Sequence, residues 1–168
     1  MLERLARILR HRWHDEAAAR AFPPDVLRRL ADRVAAGEQR HAGQVRVCVE
    51  SALPTSYLWR GASARERAVT QFGKLGVWDT EQNSGVLLYL LVCEHAIEIV
   101  ADRGIARRVD AAQWQGMVAG MGGAFREGRF EDGLAHAIDE VSSLLATHFP
   151  AVAGEARTNE LPDEPAVG

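Results

Sequence analysis

Apolar residues are densest between Asn83 and Ile105, and the rest of the chain is read outward from that stretch. Val86 to Val92 is a seven-residue run that is apolar at every position. Such a run suits a strand covered on both faces and is far too short to span a membrane. Apolar character breaks at Cys93-Glu94-His95. It returns at Ala96, Ile97, Ile99, Val100 and Ala101, interrupted by Glu98. Two runs joined by three residues predict a β-hairpin whose second strand has one less-buried face. Upstream, Val45, Val47 and Val49 alternate with Gln44, Arg46 and Cys48. That alternation predicts a strand over 44–50 with one face buried and the other only partly covered.

Helical spacing accounts for much of the remainder. Leu2, Leu5, Ile8, Leu9 and Trp13 form a stripe over 2–14, with Arg4, Arg7, Arg10 and Arg12 mostly off it. This is a basic amphipathic helix, expected to dock its stripe on the domain or a partner chain, with a membrane surface as the alternative. His11 and His14 lie within ligand reach of each other, but no acid or thiol follows in register, so they read as a solvated pair. A helix starting at Pro23-Pro24-Asp25 runs to about Arg40 on Val26, Leu27, Leu30, Val34 and Ala35. Leu53 to Gly61 reads as a loop in which Tyr57-Leu58-Trp59 could form an exposed apolar patch. Ser63-Ala64-Arg65-Glu66 is a capping box that opens a helix to about Leu75. Asp110 opens another to about Phe125. The last, Glu131 to His148, turns Leu134, Ile138, Val141, Leu144 and Leu145 inward before Pro150. Strand, helix, strand over 44–92 predicts parallel strands with a right-handed crossover.

Composition changes this picture little. The chain has 168 residues, 47% of them hydrophobic and 26% charged, which fits one ordinary globular domain. It divides into a helix over 1–21, an α/β domain over 22–150 and an acidic tail over 151–168, expected to be disordered. The net charge is −3, and the tail alone accounts for it through Glu155, Glu160, Asp163 and Glu164 against Arg157. A near-neutral body carries no nucleic-acid footprint. Cys48 and Cys93 sit in apolar segments and read as buried, reduced thiols. No stretch approaches the roughly 20 apolar residues of a transmembrane segment, and arginines interrupt the start where a signal peptide needs an apolar core. The expected compartment is the cytoplasm.

Several motifs together resemble the TPM domain, a family of bacterial and plant thylakoid-lumen proteins, here in a soluble single-domain bacterial form. They are Glu38 and Gly43, the N-S-G-V-L-L stretch at Asn83 to Leu88, I-V-A-D-R-G-I at Ile99 to Ile105, F-R-E-G-R-F at Phe125 to Phe130, and then Gly133 and Ile138. The set covers about Asp25 to Pro150. The resemblance implies a three-layer α/β/α sandwich, Rossmann-like, with a small mixed sheet and a central hairpin but no dinucleotide site. It also implies photosystem repair, weak acid phosphatase activity, calcium binding or accessory roles at membranes as the range of family functions. This chain differs from many relatives in lacking an export signal and a C-terminal spanning helix. It also has Ala101-Asp102-Arg103-Gly104 where others leave the hairpin through glycine-tyrosine-glycine.

The topology also makes a geometric prediction. Glu38 and His41 precede the first strand, Asp79, Glu81 and Asn83 precede the second, and Asp102 and Arg103 leave the hairpin at the same sheet edge. Oxygen-rich sets of this kind suit a hard cation. Glu38, Asp79, Asn83 and Asp102 are therefore the candidate ligands for Ca2+ or Mg2+, with Arg103, Glu81 and His41 as further binding residues. The bland alternative gives these groups to helix caps and turns. No hydrolase elbow, phosphate-cradling glycine loop, H-E-x-x-H or C-x-x-C occurs, so no catalytic residue is assigned. If the protein is an enzyme, it is a phosphatase using Arg103 with Asp102 and Glu38. His95 reads as an exposed turn residue, and His136 and His148 have no spaced partner. The expected function is a non-catalytic accessory or binding module for an unidentified, membrane-associated protein partner. The alternatives are a weak acid-phosphatase-like hydrolase and a membrane-surface protein acting through the basic first helix.

Overall fold

In the computed structural model, which describes residues 2–13, 16–154 and 158–168, the unbroken apolar run becomes β2 (Gly85–Leu91), buried at every position. It pairs in parallel with β1 (Gln44–Glu50) and antiparallel with β3 (Ala96–Ala101). A 3-10 turn at Val92–Glu94, closed by His95 at φ 50°, joins the hairpin. Glu98, half-buried like Ala96 and Ala101 of β3, faces Arg65 at 3.6 Å. A fourth strand, β4 (Ala166–Val167), lies parallel to β1, giving the order β3-β2-β1-β4.

Eight helices complete the described chain: α1 (Leu2–Trp13), α2 (Ala17–Ala21), α3 (Pro24–Glu38), α4 (Thr55–Trp59), α5 (Ala64–Lys74), α6 (Arg103–Ala106), α7 (Ala111–Arg126) and α8 (Phe130–His148). Val45, Val47, Val49, Leu88 and Leu90 pack on one side of the sheet against Leu30, Val34, Phe125, Leu134, Ile138 and Val141. Cys48, Leu87, Tyr89 and Leu91 meet Ala64, Ala68, Leu53, Leu58, Val77 and Leu161 on the other. Helices on both faces of a mixed sheet make an α/β sandwich. The capping box is present: Ser63 Oγ accepts from the Glu66 amide at 3.2 Å, and Glu66 Oε2 accepts from the Ser63 amide at 2.9 Å. The stretch read as a loop after Leu53 contains the one-turn α4, in which Leu58 is buried and Trp59 is 71% exposed.

Two expectations are corrected. The tail is not disordered over 158–168. Gln44 Oε1 accepts the amides of Glu160 and Leu161 at 3.0 Å each, and Arg46 donates to the carbonyls of Pro162, at 2.6 Å, and Glu164. Leu161 is buried and β4 adds to the sheet. Without the tail, β1 would offer an open edge and a polar face. With it, all seven β1 positions are buried, not one face only. The first helix is the second correction, because, of its described stripe, only Ile8 packs on the domain, and the helix docks mainly through polar groups. Arg7 Nε and His11 Nε2 reach Glu94 Oε1 at 2.6 and 2.8 Å, and His11 Nδ1 accepts the Leu53 amide at 2.9 Å. His11 is buried rather than solvated, while Leu5, Leu9 and Trp13 remain 53%, 56% and 81% exposed. The side chains of Leu2 and Arg4, and residues His14, Glu155 and Arg157, lie outside the described residues.

Candidate functional site

Strand register brings Gln44 beside Gly85 and Ala101 beside Val86, so the starts of β1 and β2 and the end of β3 share one edge. Glu38, the last residue of α3, accepts the Val45 amide at 2.8 Å. Burial pushes its carboxyl up to about 7; the Val45 hydrogen bond opposes the rise and the nearby Asp163 charge adds to it. His41 is buried, and its Nδ1 lies 3.0 Å from the Gly43 carbonyl, which makes that nitrogen the donor. Glu38, His41, Gln44 and Glu81 line a cavity of about 380 Å³ that Glu160 and Asp163 of the tail close.

The exit from the hairpin does different work. Asp102 caps α6 by accepting the Arg103 amide at 2.6 Å, and its own amide donates to Gly85 O at 2.9 Å. Arg103 reaches Asn83 Oδ1 at 3.4 Å. Asn83 itself sits at φ 52°. The Gly104 amide donates to Asn83 O at 2.8 Å. A Cβ on Gly104 would stand 2.5 Å from the carbonyl oxygens of Asn83 and Gln82, so only glycine fits this clamp. The D-R-G signal is thus a backbone lock on the lead-in to β2.

The seven predicted residues therefore divide. Glu38, His41 and Glu81 line the cavity, Asn83, Asp102 and Arg103 form the clamp, and Asp79 is exposed in the turn before β2. Among the described residues, no three His, Cys, Asp or Glu side chains stand together closely enough to hold a metal ion, so Glu38, Asp79 and Asp102 are not one ligand set as they stand. Sequence reasoning missed Gln44 and Arg46, the tail acids Glu160 and Asp163, and the pairing of His11 with Glu94. The Q-x-R alternation just after Glu38 was the available signal. Arg46 is 8% exposed. Burial lowers its pKa, against the opposing influence of Cys48, Asp163 and Glu164.

Cys93 Sγ lies 3.2 Å from His11 Nδ1, beside Glu94, which superficially resembles a nucleophile with its base. The His11 Nδ1 lone pair is already taken by the Leu53 amide. Burial, reinforced by Glu94, pushes the Cys93 thiol up to about 12. Burial and then Glu50 do the same to Cys48. Both cysteines are free, buried packing groups, as read.

A model of the TPM domain matches residues 17–144. The fold is similar to the NMR structure of BA42 protein from the psychrophilic bacterium Bizionia argentinensis, with TM-score 0.74 and 25% identity, covering 86% of this chain and 93% of that one. No curated protein matches. The first helix and the ordered tail both fall outside the residues matched to the domain.

Proposed function

We propose, since this chain belongs to the TPM-domain family and carries a first helix with its apolar side turned outward, that it is a non-catalytic accessory module. It binds an anionic membrane surface through α1. The outward stripe of Leu5, Leu9 and Trp13 carries the reading. A helix held only by its apolar face would leave its charges in water; α1 instead turns Arg7 and His11 inward with Ile8 and leaves the rest of the described stripe outside. Burial works against the charge of Glu94, but hydrogen bonds from Arg7 and His11 more than offset it and hold that carboxyl below its ordinary range. Exposed Arg10 and Arg12 sit beside the stripe, and α4, packed on α1, adds the exposed Trp59. Basic residues near an anionic leaflet contribute about 1 kcal/mol each, and aromatic rings favour the interface. The surface in question is the anionic cytoplasmic leaflet, where a membrane-associated protein partner would be met. No helix among the described residues is long and apolar enough to cross a membrane.

Co-sedimentation with vesicles of phosphatidylglycerol and phosphatidylcholine tests this. The native chain binds anionic vesicles, binding weakens with salt, and Leu5→Glu with Leu9→Glu lowers it by about tenfold or more, the equivalent of 1.4 kcal/mol. Equal partitioning of native and variant chains would end the proposal.

A second reading concerns the cavity, whose wall carries the carboxylates of Glu38, Glu81, Glu160 and Asp163; no three of them stand close enough to ligate one ion as they are, so a cation would have to draw them together. Such oxygen donors suit Ca2+ or Mg2+. Calorimetric titration of calcium into chelator-treated protein is expected to give heat and a raised melting temperature; neither at millimolar ion would refute it. A weak phosphatase would need a metal-activated water at the same place, so it stands or falls with the cation.

A further inference from the structure

We infer that the side of β1 facing the tail is a peptide-binding groove, built to take an acidic, proline-interrupted strand by its backbone. Residues 158–168 are the ligand it holds in cis, and an acidic extended segment of another protein is the partner that replaces them.

The groove contacts main chain in preference to side chains. Gln44 Oε1 takes two successive amides, from Glu160 and Leu161, and the Arg46 guanidinium takes two carbonyls, from Pro162 and Glu164. The β1–β4 pairing continues the same contact: the Gly168 amide donates to Val49 O at 3.0 Å, and the Ser51 amide donates to Gly168 O at 2.8 Å. Strand addition to a sheet edge with pockets for occasional side chains is a general mode of peptide recognition. Leu161, 6% exposed, is the side chain that fills such a pocket.

The ligand is matched to the groove in two further respects. Proline has no amide to leave unpaired, and the contact Arg46 makes at Pro162 is to its carbonyl. The segment from Thr158 to Gly168 carries Glu160, Asp163 and Glu164 and no basic residue, which complements the buried Arg46 charge. Arg46 is also unlike a finished structural ion pair. Its guanidinium hydrogen bonds run to the tail, and its Nε is buried without a partner. The contacts Arg46 makes with the tail are to main-chain carbonyls, so another extended segment can make the same ones in its place. Departure of the tail would also remove Glu160 and Asp163 from the rim of the cavity. In cis the tail competes at an effective concentration on the order of millimolar, so a free peptide binds well only when the tail is weakened.

The test is fluorescence anisotropy of a labelled peptide with the sequence of residues 158–168, titrated with the full chain. The chain carrying Leu161→Asp is expected to bind it at least tenfold more tightly than the native chain, and adding Gln44→Ala reverses the gain. No gain in the Leu161→Asp chain, equal binding of a scrambled peptide, or indifference to Gln44→Ala overturns the inference. A second arm does not depend on that variant folding. A protease site inserted after Gly154 is cut once the chain has folded, and the labelled peptide is expected to exchange into the cut protein. A cut chain that keeps its amide spectrum yet never takes up the peptide refutes the groove. Native dimers found to hold each other's tails refute the cis assignment and make a second copy the occupant.

Discussion

Arg46 and Glu50 lie four residues apart on the same face of β1, and their burial is made tolerable in opposite ways. Glu50 accepts from Arg67 Nε at 2.8 Å, from Gln71 at 2.7 Å and from the Tyr89 hydroxyl at 2.7 Å. Burial favours the neutral acid, but hydrogen bonds from Arg67 and Tyr89, with Gln71, prevail and hold Glu50 below the ordinary carboxylate range. Every partner is a side chain from α5 or β2, so the network closes within the matched domain. Arg46 has no such closure; it depends on carbonyls from the far end of the chain. A closed network fastens α5 to the sheet. An open one marks the place where the fold leaves a contact that another strand can make.

Deleting one member of each arrangement gives the largest expected effect. Glu50→Ala strands the Arg67 guanidinium beneath the sheet and should cost about 3–5 kcal/mol in urea unfolding, the usual loss when one partner of a buried pair is removed. Arg46→Met keeps the buried stem and removes only contacts to the tail, so its cost should be well under half of that. Similar losses for the two would erase the distinction between closed and open networks.

The tail's apolar anchor comes next. Leu161→Ala removes a buried side chain from the second core, a change that typically costs about 2 kcal/mol or somewhat more. Here the loss should appear as local opening. Amide exchange at Leu161 and Gly168 should speed up by roughly the factor of 30 that 2 kcal/mol implies, while exchange in β2 stays slow. Uniform acceleration across β2 as well would mean that the tail is an integral layer and not a replaceable strand.

These contrasts explain which parts of the molecule the sequence reveals. The hairpin was legible because a strand buried on both faces must be apolar throughout, and Val86 to Leu91 has no other economical use. The crossover followed from the capping box at Ser63 between two strand-like runs. The tail was illegible because a two-residue strand just after Pro165 has no periodicity, and its anchors Gln44 and Arg46 look like exposed positions of an alternating strand. The first helix showed its two faces in sequence, but amphipathicity does not say which face meets the protein. Of the candidate site, Glu38, His41 and Glu81 lie on the wall of one cavity. Asp102 and Asn83 were drawn off by cap and turn geometry, which polar residue type alone does not separate from ligation.

Glu38 is a half-buried carboxyl beside the tail, and its substitution should have the smallest effect under mild acid. Its carboxyl is raised from the ordinary value of 4.5 to about 7, first by burial and then by Asp163. For a carboxyl raised on folding, the stabilising contribution is fully present below 4.5 and is lost as the pH rises through about 7. Glu38→Gln keeps an acceptor for the Val45 amide and stays neutral at every pH. At pH 5 the variant should lie within about 0.5 kcal/mol of the native chain, as a near-isosteric change usually does. Above pH 7 the native carboxylate faces Asp163 across the cavity, with Glu81 and Glu160 also on its wall and His41 behind. There the variant should become the more stable of the two. Its tail amides should also keep the protection that the native chain loses. Protection factors for Leu161 and Gly168 between pH 5 and 8, corrected for intrinsic exchange, measure this directly. Parallel curves for both chains would show that Glu38 does not govern how tightly the tail closes the rim, and would leave Arg46 as the group that holds it.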